Sequence, residues 1–107
     1  MRVPYLDHPP PLAFAHRGGP EEFPENSLAA FTAAASMGFR YLETDVHLSA
    51  DGVVVAFHDD ILDRVTDGSG EVAALTWDEI RDAKIAGTEP IPTMAQLFDA
   101  FPDARFN

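Results

Sequence analysis

The chain has 107 residues, carries 18 acidic against 7 basic side chains for a formal net charge of −11, and is 46% hydrophobic and 10% aromatic. That length holds one globular unit, and its apolar content is too ordinary for a disordered chain. The acidity disfavours a surface that tracks nucleic-acid phosphate or an anionic membrane, and the lack of cysteine excludes disulfides and thiolate metal ligands.

Residues 1–11 hold four prolines and no apolar run, so they read as an extended N-terminal arm with His8 in solvent. No stretch approaches the roughly 18 apolar residues of a membrane span, so no integral membrane segment and a cytoplasmic location are expected. Residues 12–107 read as the folded domain. Leu12-Ala13-Phe14-Ala15 predicts a short buried strand that stops at the polar loop His16-Arg17-Gly18-Gly19. Pro24-Glu25-Asn26-Ser27 supplies N-cap candidates for a helix over Leu28–Met37, and Gly38 sits where a left-handed cap would end it.

Tyr41 to Leu48 alternates Tyr, Glu, Asp and His with Leu, Thr, Val and Leu, which predicts one strand with a polar face. A turn at Ser49-Ala50-Asp51-Gly52 returns the chain as a second strand over Val53–His58. A loop from Asp60 to Ala74 follows. Thr76 with Glu79 opens a helix predicted to reach about Ile85, Thr93 with Gln96 opens another over Met94–Phe101, and Pro102 ends it. Arg105-Phe106-Asn107 begins a further strand. The alternation is that of a parallel α/β protein.

Glu43 and Asp45 are one residue apart on their strand, so they share a face with Cα atoms roughly 6.5 to 7 Å apart. A divalent cation with a preference for oxygen, Mg²⁺ or Ca²⁺, is the simplest reason to tolerate two such carboxylates; a solvated edge strand is the plain alternative. The hairpin adds His58. A two-residue loop at Ala50-Asp51 sets it across from Glu43, and one at Asp51-Gly52 sets it across from Asp45. A three-residue loop turns it to the other face unless a bulge intervenes. His47 lies on the carboxylate face, at the rim. Asp59 is better placed to orient a backbone or histidine group than to bind metal. Trp77 and Phe101 read as core residues on helix faces.

His16 and Arg17 follow the first strand, at the end where parallel α/β folds collect functional groups, and the planar fork of Arg17 suits a phosphate. Two histidines, an arginine and two carboxylates at the ends of adjacent strands describe metal-assisted hydrolysis of a phosphate ester.

The ordered series His16-Arg17-Gly18-Gly19, Pro24-Glu25-Asn26-Ser27, Glu43-Thr44-Asp45-Val46, Asp51-Gly52, His58-Asp59, Leu62-Asp63-Arg64-Val65-Thr66, Leu75-Thr76-Trp77-Asp78-Glu79-Ile80 and Ile91-Pro92-Thr93 resembles the glycerophosphodiester phosphodiesterase family. The resemblance implies a (β/α)₈ TIM-barrel, of which this chain is the N-terminal portion: about two βα units, a hairpin and the start of the next strand. It implies hydrolysis of a small-molecule glycerophosphodiester to glycerol 3-phosphate and an alcohol. His16 and His58 match the acid/base pair, Arg17 the phosphate contact, and Glu43 and Asp45 two ligands of one divalent cation. In that family a third ligand Glu, followed shortly by a Lys, lies on the next strand, which begins here at Phe106-Asn107. A complete barrel needs about 250 residues. The expectation is therefore that this chain requires the remainder of the barrel, a partner or self-association, and has little activity alone. The competing readings are phospholipase D-like cleavage of lysolipid or sphingolipid head groups on a related barrel, and a non-catalytic fragment or assembly half.

Overall fold

Strand formation starts at β1, Phe14–Ala15, in a computed structural model that describes residues 4–8, 13–19 and 22–107. The expected strand residue Leu12, and residues 1–3 and 9–11 of the arm, lie outside the described residues. Beyond residues 16–19 and 22–27 comes α1, Leu28–Ser36. Ser27 is its N-cap, with Oγ accepting from the Ala30 N–H at 3.1 Å. Ala30, Phe31 and Ala34 form its buried stripe, and Gly38, at φ +95°, ends it as the sequence predicts.

The strand expected over Tyr41–Leu48 is two strands. β2, Tyr41–Leu42, is fully buried, and β3 covers Val46–Leu48. The break at 43–45 arises because the chain changes partners there. Glu43 N–H bonds the Ala15 carbonyl and Thr44 N–H the Asn107 carbonyl, whereas the Asp45 carbonyl already accepts from Phe57 N–H. β3 pairs antiparallel with β4, Val54–Ala56, in the register Val46↔Ala56 and Leu48↔Val54. That register corrects both two-residue loops considered above: the turn is Ala50-Asp51-Gly52, closed by Gly52 N–H to the Ser49 carbonyl at 3.0 Å, with Gly52 at φ +84°.

β4 separates two cores. Val55 and Phe57 point into a cluster with Leu62, Val72, Ile80, Ile85 and Ile91, while Ala56 points into the other, with Ala15, Phe31, Leu42 and Leu97. The period-two alternation of a strand produces this division directly. Trp77 packs against the first cluster and Phe101 against the second, as expected.

α2 is Trp77–Ile80 and stops five residues before the predicted end, because Lys84–Ile85 forms β5 and pairs with β6, Glu89–Pro90. The turn between them holds Ala86 and Gly87 at φ +53° and +74°, which a continuing helix excludes, and it sends Ile85 into the core. α3, Met94–Ala100, has the capping box Thr93/Gln96. β7, Arg105–Phe106, completes a parallel sheet in the order β1-β2-β7, with Phe14↔Tyr41 and Tyr41↔Arg105 in register. Two parallel crossovers, with the two antiparallel pairs β3–β4 and β5–β6 inserted in the second, make the architecture the N-terminal portion of a (β/α)₈ barrel.

Pro4–Leu6 is a 3₁₀ turn rather than extended backbone, and it packs at the start of β2 and β7. The Tyr5 carbonyl accepts from Tyr41 Oη at 2.5 Å and Arg105 Nη1 at 2.9 Å. His8 is half-buried with its ring edge-on to Tyr41 at 5.6 Å, not in solvent. No helix among the described residues is long and apolar enough to cross a membrane.

Candidate active site

Where β1 ends, the backbone takes a route that few residues adopt. Arg17, Gly18 and Gly19 have φ of +48°, +86° and +107°. A Cβ on Gly18 would lie 3.1 Å from both the Ala30 Cβ and the Phe31 ring, so glycine is what lets α1 close onto this turn. Arg17, strained at positive φ, is held from both sides. Its carbonyl accepts from the N–H of buried Asn26 at 2.8 Å, and the following N–H, of Gly18, reaches the Glu43 carbonyl at 3.2 Å. Asn26 Oδ1 accepts from Thr44 Oγ1 at 3.0 Å, which ties the residues before α1 to the break between β2 and β3.

The five residues expected to carry chemistry meet at this end of the parallel strands. His16 Nε2 is 3.9 Å from Glu43 Oε1, and the Arg17 backbone N–H lies 3.4 Å from Glu43 Oε2. His58 Nε2 is 4.0 Å from Asp45 Oδ2 and 2.8 Å from Arg17 Nη2. His58 reaches Asp45 despite the three-residue turn because both strands leave their ladder before it: Asp45 lies in the break, and His58 lies in the bend after β4. The carboxylates thus face different histidines. No cluster of three or more potential metal ligands occurs among the described residues.

Arg17 has only donors, so its contact makes His58 Nε2 an acceptor and places the imidazole proton on Nδ1. That nitrogen donates to Asp59 Oδ1 at 2.7 Å. Arg64 grips Asp59 through Nε and Nη2 at 2.7 and 3.0 Å, and Glu25 bridges Arg64 and Arg17 at 2.8 and 3.2 Å. The Arg64 fork, and then the His58 hydrogen bond, hold the Asp59 carboxyl well below the usual carboxylate range, and Asp59 and Glu25 in turn raise Arg64. His47 Nε2 donates to the His58 carbonyl at 2.9 Å, so it steadies the backbone of His58 from β3. Beside the group runs an open cavity of about 790 Å³, lined by His16, Arg17, Phe23, Glu25, Arg64 and Ile85 among others.

Asp59 takes the orienting place the sequence suggested. The sequence suggests no part in the site for Glu25, Asn26 or Arg64. Glu25 and Asn26 look like plain capping residues, and Arg64 looks like a surface charge in a loop. Only the three-dimensional approach of Arg17 and Glu25 to residues 58–64 brings them together.

The sequence matches the model of the "Glycerophosphoryl diester phosphodiesterase family" over residues 16–107. It is 43% identical over 106 residues to the probable glycerophosphodiester phosphodiesterase 2 of Mycobacterium tuberculosis, covering 98% of this chain and 40% of that protein. It is 42% identical over 93 residues to glycerophosphodiester phosphodiesterase 1 of Rattus norvegicus, covering 87% of this chain and 26% of that one. The fold is similar to an Oleispira antarctica phosphodiesterase solved in complex with the product sn-glycerol-3-phosphate, with a TM-score of 0.84, 34% identity, and coverage of 91% of this chain and 43% of the other. The chain thus spans well under half the length of these relatives.

Proposed function

The chain belongs to the glycerophosphoryl diester phosphodiesterase family, and from that footing we propose that its site takes part in hydrolysing glycerophosphodiesters to glycerol 3-phosphate and an alcohol. The observation that carries the reading is the convergence of His16, Arg17, Glu43, Asp45 and His58 through contacts of 2.8 to 4.0 Å at one end of the parallel strands.

The bond from phosphorus to the alcohol oxygen breaks as a bond to the attacking oxygen forms. One imidazole takes the proton of the attacking oxygen, and the other supplies one to the departing alkoxide. His58 suits the first task, since its proton is on Nδ1 and its lone pair on Nε2 faces the site. Exposed His16 suits the second. For His58 to accept a proton, Arg17 must leave Nε2, and a substrate phosphate, which accepts from a guanidinium far better than an imidazole does, draws it away. Substrate binding and release of the base then become one event.

Glu43 and Asp45 are hard oxygen donors, and Asp45 is 47% exposed, so these two residues would hold Mg²⁺ or Ca²⁺. Such an ion, bound there, supplies charge neutralisation at the phosphate. The test is product identification by ³¹P NMR with the full-length protein and millimolar cation. Glycerol 3-phosphate from glycerophosphocholine supports the reading; turnover of lysophosphatidylcholine alone would replace it with head-group cleavage of lysolipids.

A further inference from the structure

We infer that Arg64 is a positioning residue that holds the His58 imidazole and the Arg17 guanidinium in one frame; the inference rests on the hydrolytic reading above and extends it to a residue outside the reacting group. Arg64 meets two carboxylates at once. Its Nε and Nη2 lie 2.7 and 3.0 Å from Asp59, and the same Nη2 lies 2.8 Å from Glu25 Oε1. Each carboxylate then holds one group of the site: Asp59 accepts from His58 Nδ1 at 2.7 Å, and Glu25 accepts from Arg17 Nη1 at 3.2 Å. Arg17 Nη2 against His58 Nε2 at 2.8 Å closes the ring.

All five side chains end in planar groups, so fixing the plane of Arg64 fixes both carboxylates and, through them, the imidazole and the second guanidinium. An ordinary stabilising ion pair is the plain alternative. The Arg64 side chain is 50% exposed, so the ion pairs add only modestly to stability. Its two carboxylates come from separate loops, and each turns its other contact toward a site residue, an arrangement that serves orientation. The fork is also what a lysine cannot reproduce, since an ammonium is a point donor.

Variants of Arg64, read by melting, by steady-state kinetics and by the His58 tautomer, test this in the full-length protein. Arg64→Gln removes the link, and Arg64→Lys keeps the charge in case the first fails to fold by leaving Asp59 and Glu25 facing each other. The inference predicts that Arg64→Lys melts within a few degrees of wild type, yet kcat on glycerophosphocholine falls about 10- to 100-fold with KM changed less than about threefold. In ¹⁵N-histidine spectra taken without substrate or metal, His58 is in the Nδ1–H form in wild type and in mixed tautomers in Arg64→Lys. Asp59→Asn combined with Arg64→Lys costs no more than the more damaging single change, because both break one chain of contacts. A kcat within twofold of wild type in folded Arg64→Lys, or an unchanged His58 tautomer, overturns the inference. If the wild type turns over no phosphodiester, the proposed function fails on its own, and the spectra still decide whether Arg64 fixes His58.

Discussion

Arg17 Nη2 and His58 Nε2 lie 2.8 Å apart although 41 residues separate them in the chain. The contact joins the group suited to phosphate to the group suited to proton transfer, and it does so on the lone pair that the proposed transfer would use. Arg17→Lys keeps the charge and loses the fork, so it should raise KM for glycerophosphocholine about tenfold or more, equivalent to about 1.4 kcal/mol or more of binding. Steady-state kinetics on the full-length protein check this. An unchanged KM would mean that Arg17 serves Glu25 and not a phosphate.

Glu43→Gln or Asp45→Asn should move the cation concentration for half-maximal activity up by about tenfold or more, because each removes one of two charged oxygen donors from a hard cation. A titration of activity against Mg²⁺ and Ca²⁺ reads it. The two variants should behave alike if both carboxylates hold one ion, and a metal response intact in either would remove that residue from the site.

Gly18→Ala should cost more than about 1 kcal/mol of stability, since alanine resists φ of +86° and its methyl would lie 3.1 Å from Ala30 and Phe31. Activity should fall further than the unfolded fraction explains, because the turn carries Arg17. Thermal melts beside specific activity separate the two effects.

Asp59 gives the pH dependence its sign. Its folded carboxyl stays charged below the ordinary range, chiefly through Arg64, whereas the unfolded carboxyl takes up its proton near pH 4. The stabilisation is therefore complete above about pH 4 and lost as pH falls through the lower, folded value. Chemical denaturation from pH 6 down to 2.5 should show a smaller acid loss in Asp59→Asn than in wild type. Parallel curves would contradict the ion pair.

The legible part of this molecule was the part written in local pattern. The α1 cap at Ser27, the stop at Gly38 and the box Thr93/Gln96 need only neighbouring residues, and the series from His16 to Thr93 marks the family. What the pattern hid depends on partners distant in sequence. The 41–48 alternation looks continuous in the sequence, while the change from Ala15 and Asn107 to Phe57 as backbone partners leaves no trace in composition. Ile85 looks helical until the core claims it. Glu25 and Arg64 are unremarkable singly, and their meaning appears only when two loops meet.

The most direct test of the account is the initial rate of glycerol 3-phosphate release from glycerophosphocholine by the full-length protein with millimolar divalent cation, compared between wild type and His58→Ala at equal folded concentration. The account predicts clear turnover by wild type and a kcat lower by roughly 10² to 10⁴ in the variant, the usual contribution of a positioned proton-transfer group. Near-normal turnover by His58→Ala would contradict it and make His58 a structural residue of the loop.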